Sequence, residues 1–159
     1  MPALERLRSA APPWAHLVVL KPSETAESAL QVPRGFVTRT IDGRRCRAKA
    51  AFLAEAAQAL AFPEDAGRNW DAFEECLADL EWLPAKGYLV IITDAGALLC
   101  ESEDDYDTFV EIVEDVGREW AAPREGESAR PAVPFHVCLA ITQGEEPARK
   151  DWGVPLLKR

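Results

Sequence analysis

Histidine is scarce in this chain, with only His16 and His136 among 159 residues. Neither stands near a serine or cysteine motif, so no nucleophile–base pair can be read from the sequence. The four cysteines, Cys46, Cys76, Cys100 and Cys138, show no C-x-x-C spacing and no Cys/His cluster of zinc type. Each lies in or beside an apolar segment, and buried, reduced thiols are expected. A glycine-rich phosphate loop is missing. The acid-dense stretch from Glu101 to Glu111 lacks the glycine and alternation of an EF-hand loop. No apolar run approaches the ~20 residues of a membrane span, and no apolar core of signal-peptide length is present. Positive charge is also short. The 18 Lys and Arg face 27 Asp and Glu, a formal net charge of −9, which argues against nucleic acid or an anionic membrane as direct partner and favours a basic protein. No cofactor, metal or catalytic activity is expected, and the expected compartment is the cytoplasm.

What remains is enough for a folded domain. The hydrophobic share is 48%, and the length suits one core. Leu4–Ala10 has the makings of a short helix stopped by Pro12-Pro13, His16–Leu20 is a strand candidate, and Lys21–Pro33 reads as a loop. Gly35–Ile41 is β-rich and closed by the Asp42-Gly43 turn signal. Arg47–Leu60 is alanine-rich and helical, with Phe52, Leu53, Ala56 and Leu60 at core spacing and no strong N-cap. Tyr88–Thr93 is a continuous apolar run, as expected of a strand covered on both faces. Glu101–Trp120 carries a helical stripe of Tyr106, Phe109, Val110, Val113 and Val116. Pro123–Pro134 is loop-like, and Phe135–Ile141 is the last strand. From Gln143 onward the chain is polar and expected to be extended, with Trp152, Val154 and Leu156 able to dock. This order implies an α/β fold whose parallel strands are joined by helical crossovers. Three strands suffice, with His16–Leu20 as an optional fourth at an edge.

The segment from Pro63 to Leu80 is the most informative. Gly67 allows a sharp turn, Asn69 is a good N-cap, and Trp70, Phe73, Leu77 and Leu80 recur at helical spacing to form a buried face. Cys76 lies at its border. The other face holds Asp71, Glu74, Glu75 and Asp79. Asp71–Glu75 and Glu75–Asp79 are like-charge pairs four apart, each costing ~0.2–0.5 kcal/mol. Only Asp71 is favoured by the helix dipole. A helix that accepts this repulsion beside a glycine loop suits a positive partner, although such a face also serves solubility alone. Charge is segregated along the chain in the same sense. Residues 34–49 hold six bases against Asp42, residues 64–81 hold seven acids against Arg68, and residues 101–115 hold eight acids and no base. Two such acidic helices lying side by side would create a strongly negative surface.

At this helix the sequence resembles the barstar family, intracellular inhibitors of barnase-type secreted ribonucleases. The resemblance rests on Ile41-Asp42-Gly43, Phe62-Pro63 and Gly67-x-Asn69-x-Asp71-Ala72-x-x-Glu75-Cys76-Leu77, and is close over residues 41–83. It implies a three-stranded parallel sheet packed with helices over residues 34–142, flanked by an N-terminal extension (1–33) and a C-terminal tail (143–159). It also implies inhibition by plugging, with carboxylates standing where substrate phosphate would lie. Carried over by position, Glu75 is the central acid and Asp71 the second. Glu74, Asp79, Asp65 and Ala66 surround them, Gly67 and Asn69 shape the loop, Cys76 is buried, and Ala72 and Leu77 pack. The expected partner is a basic secreted-type ribonuclease or a ribonuclease-domain toxin. The best-known member has Asp at the position of Glu75 and aromatic residues at those of Asp65, Ala66 and Glu74. The alternative is a protein-interaction module of the same fold that binds a non-nuclease basic partner, and a small enzyme using the acidic residues, to be tested at Glu75 or His136, is a third.

Overall fold

The computed structural model describes residues 2–144, 149 and 151–159. The chain runs through α1 (Ala3–Arg8), β1 (Ala15–Leu20), α2 (Ala26–Leu30), β2 (Phe36–Asp42), α3 (Lys49–Ala59), α4 (Trp70–Asp79), β3 (Gly87–Thr93), α5 (Glu103–Ala121) and β4 (Phe135–Thr142). All strands are parallel, in the order β1-β4-β3-β2. The sheet thus has four strands, not three. The optional edge strand is real and pairs with β4 from Ala15–Val137 to Leu20–Thr142.

The unbroken apolar run of β3 is explained by its central place. Tyr88, Val90 and Ile92 face a core built with Phe52 of α3, Phe73 and Leu77 of α4, and Phe109, Val113 and Trp120 of α5. Leu89 and Ile91 face a second core with Leu7 of α1, Ala26 and Leu30 of α2, and Cys138 and Ala140 of β4. The segment before residue 34 therefore supplies the helices that cover this face of the sheet, with Leu157 of the tail beside them. The loop expected at Lys21–Pro33 contains α2, where Thr25 Oγ1 accepts from the Ser28 N–H at 3.2 Å and Ala26 and Leu30 are buried. Five residues are too few for apolar periodicity to stand out.

The tail closes the exposed edge of β1, where unpaired strand groups would otherwise remain. The Leu17 N–H donates to the Pro155 carbonyl and the Leu157 N–H to the Leu17 carbonyl, both at 2.8 Å. Trp152 is buried, and its carbonyl accepts from the Tyr106 hydroxyl at 2.6 Å. The Arg149 guanidinium lies 3.7 Å over the Tyr106 ring. Part of the expected extended tail, residues 145–148 and 150, lies outside the described residues.

The two histidines meet across β1 and β4. Both are buried, and His16 Nε2 lies 2.9 Å from His136 Nδ1. His136 Nε2 is 2.7 Å from the Ser9 carbonyl, which can only accept. With both rings neutral, as their burial favours, His136 donates to Ser9 and accepts from His16. Burial lowers His16 to about 3, helped by His136 and Arg6, and lowers His136 to about 4 against the opposing effect of the Ser9 bond. The unfolded chain takes up these protons near pH 6.5, whereas the folded chain resists them until about pH 3–4. The neutral pair thus supports the fold above pH 6.5, and that support is lost as pH falls toward 4. Urea unfolding is expected to show a loss on the order of 3 kcal/mol between pH 7 and pH 5. A midpoint that stays constant over that range would rule the neutral pair out.

Candidate functional site

Helix α4 begins as its sequence dictates. Asn69 is its N-cap, its Oδ1 accepting from the Ala72 N–H at 2.8 Å. Gly67 before it has φ +78°, and a Cβ there would stand 2.6 Å from the Phe62 ring. Glycine is required on both counts, because an L-residue is strained in that region and the ring occupies the space. Phe73, Leu77 and Ala78 bury the inner face. Trp70, at the edge, is half-buried between Phe52 and Phe73, and its indole N–H reaches Asp105 of α5 at 3.4 Å.

The outward face meets α5. Asp71, Glu74, Glu75 and Asp79 of α4 share a cleft of about 820 Å³ with Asp115, Arg118, Glu119 and Arg124. The acids of α5 that line this cleft are thus Asp115 and Glu119; of the denser group near the start of α5, Asp105 meets Trp70 and Glu103 pairs with Arg149 at 3.6 Å. The two acidic helices do lie side by side, and the cost is visible at Glu74. Partial burial, then Asp115, Glu119 and Asp71, push its carboxyl up. A group held above its ordinary value is one that a nearby cation would stabilise in its charged form.

Apart from Asn69, which caps α4, the expected site residues fall into two groups. Asp71, Glu74, Glu75 and Asp79 are together in the cleft. Asp65, Ala66 and Gly67 instead line a separate, mainly apolar groove of about 560 Å³ against Ala50, Leu53, Ala54 and Ala57 of α3. Asp65 is exposed and paired with Arg68. Gly67 is buried and shapes the loop from within. Cys76 is half-buried, not buried as expected, because it sits where α4's apolar face meets Glu75 and Asp79. Its thiol is pushed up by partial burial and by those two acids. Cys100 is also half-buried, and only Cys46 and Cys138 fit the buried reading.

Sequence reasoning did not identify Arg118, Glu119, Arg124 or Arg130 as neighbours of α4. Glu119 follows Asp115 at i+4 on α5's polar face, a spacing that could have marked it. The arginines of the following loop carry no such signal. The histidines lie on the opposite face of the sheet from this cleft, so they cannot act with its acids. Among the described residues no group of three or more His, Cys, Asp and Glu is arranged to hold a metal ion, and no helix is long and apolar enough to cross a membrane.

A family model described as Barstar (barnase inhibitor) matches residues 36–140, about two-thirds of the chain. The match opens at β2 and ends within β4, leaving α1, β1, α2 and the tail outside it. It agrees with the resemblance seen around α4. No individual curated protein matches the chain.

Two substitutions test how the site is held. Gly67→Ala is expected to cost about 2 kcal/mol or more, from backbone strain plus the clash with Phe62. Asn69→Ala is expected to cost ~1 kcal/mol through the lost cap. Denaturant midpoints measure both. A neutral Gly67→Ala would mean that the loop relaxes freely and Phe62 does not brace it.

Proposed function

The chain belongs to the barstar family, and on that premise we propose that it inhibits a basic secreted-type ribonuclease or a ribonuclease-domain toxin by seating its acidic cleft over the enzyme's active site. One observation carries this reading: Asp71, Glu74, Glu75 and Asp79 converge with Asp115 and Glu119 on one open surface. A ribonuclease must bind phosphate, so its active site is cationic, and a rigid array of carboxylates is its electrostatic complement. In this reading Glu75 and Asp71 stand in for substrate phosphates, with Glu74 and Asp79 around them. Asp65, Ala66, Gly67 and Asn69 form the flanking loop. Inhibition follows from occupancy and needs no chemistry on the inhibitor.

A second reading keeps the surface and changes the partner. Its support is the loop itself, where Asp65 is tied to Arg68 and Ala66 borders an open groove rather than projecting an anchor. Interfaces commonly anchor through aromatic residues, so this surface also suits a basic protein that is not a nuclease.

Calorimetric titration against a barnase-type ribonuclease, with residual RNA cleavage read in the same samples, separates the two. Tight one-to-one binding with loss of cleavage is expected. Full cleavage with no heat would favour the second reading. Glu75→Ala is expected to weaken binding at least about tenfold while shifting Tm by no more than about 2 °C, because the side chain is exposed. Association with the wild-type chain should slow by roughly an order of magnitude between low salt and ~0.5 M salt. A salt-independent association rate would contradict electrostatic steering.

A further inference from the structure

We propose that Arg130, on the loop between α5 and β4, is a positioning residue that clamps the last turn of α4 and so fixes where Glu75 and Asp79 stand for a cationic partner. The inference deepens the inhibitor reading and rests on it.

A helix end leaves its last carbonyls without intrahelical donors. At α4 the usual cap is only part of the answer. Leu80 takes the left-handed C-cap conformation at φ 48° and its N–H donates to the Cys76 carbonyl at 3.1 Å, but no base lies in the last turn and the Leu77 and Ala78 carbonyls stay open. The open carbonyls are instead taken by side chains more than forty residues away. The Trp120 indole N–H donates to the Leu77 carbonyl at 2.9 Å. Arg130 Nη1 donates to the Ala78 carbonyl at 2.8 Å, and Arg124 makes a longer contact with the same oxygen at 3.5 Å.

The two principal donors also hold each other, since the Arg130 guanidinium lies 3.4 Å over the Trp120 ring. A planar guanidinium can stack and donate at once, which an ammonium cannot do equally well. Keeping it there has a cost: Nε and Nη2 are buried without hydrogen-bond partners, and burial pulls the guanidinium below its ordinary value. Its hydrogen bonds to α4 go to main-chain carbonyls, leaving the carboxylates of Glu75 and Asp79 for a partner. The bases that line the cleft do less for α4. Arg118 bonds Asp115 of α5 at 3.1 Å, and Arg124 is divided between Glu119 at 4.0 Å and its longer contact with the Ala78 carbonyl. A helix end held in this way loses less freedom on binding, which appears chiefly as slower dissociation.

The test compares Arg130→Ala, Arg130→Lys and Arg118→Ala with wild type, by amide hydrogen exchange of the free proteins and by association and dissociation rates with a barnase-type ribonuclease. Arg130→Ala is expected to speed exchange at Leu77–Leu80 and to speed dissociation, each by about tenfold, with α3 amides unchanged. Arg130→Lys keeps the charge and should dissociate nearly as fast. Arg118→Ala removes a base from the cleft lining without touching α4's carbonyls, so exchange at Leu77–Leu80 should stay at the wild-type rate, which separates the clamp from a simple loss of positive charge. Unchanged exchange in α4, wild-type dissociation of Arg130→Ala, or full rescue by Arg130→Lys would each overturn the clamp. A wild-type chain that fails to bind the ribonuclease removes the inhibitor reading and the clamp's binding role with it, whereas binding that ignores Arg130→Ala removes the clamp alone.

Discussion

The apolar seam beneath α4 and α5 holds two acidic helix faces together against their repulsion, and the site exists because that seam prevails. Phe52 of α3 meets Phe73 of α4 and Phe109 of α5 edge-on, with centroids 5.4 and 5.1 Å apart. Trp120 closes the far end over Leu77. Each such buried side chain contributes about 1.5–3 kcal/mol. A like-charge pair on a helix costs only ~0.2–0.5 kcal/mol, so a handful of aromatic contacts outweighs the whole acidic array. The repulsion is not removed, as the raised carboxyl of Glu74 shows. It is stored on the surface, where a cationic partner would relieve it.

The acidic face is also held at both ends. Asn69 caps the start of α4, and Gly67 packs its backbone on Phe62 just before it. Trp120 and Arg130 hold the other end. Between these points the acids project from a helix that has little room to shift. This is the arrangement expected of a binding surface whose affinity depends on being formed in advance. The loop side is different, because Asp65 and Ala66 border an apolar groove against α3 instead of adding to the acidic surface. The two halves of the surface therefore present different chemistry to whatever docks on them.

The parts outside the family match complete the sheet. One face of β3 and β4 would lie bare without α1 and α2, and the edge of β4 would be open without β1. The tail then covers β1 in turn. Of these additions, α1 and α2 lie on the opposite face of the sheet from the acidic cleft, whereas Trp14 and Trp152 join the core beneath α5 and so brace the helix that forms one wall of the cleft. The buried histidine pair belongs to this added layer and joins Ser9, β1 and β4 through one hydrogen-bond chain.

Local pattern alone determined a good deal. The helical spacing of Trp70, Phe73, Leu77 and Leu80, the Asn69 cap, the turn at Gly67, the acidic outer face and the uniformly apolar β3 were legible because each depends on residues within about one turn or one strand. The five-residue α2 was not, being shorter than its own periodicity needs. Other outcomes depended on tertiary structure: His16 meeting His136, Glu119 joining Asp115 opposite Glu74, Arg130 reaching Ala78, and Asp65 turning toward α3 rather than the cleft. These contacts join residues far apart in the chain or select one of several exposed orientations. Their geometry follows from how the layers close on the core, where burial energy decides and no local spacing records the result.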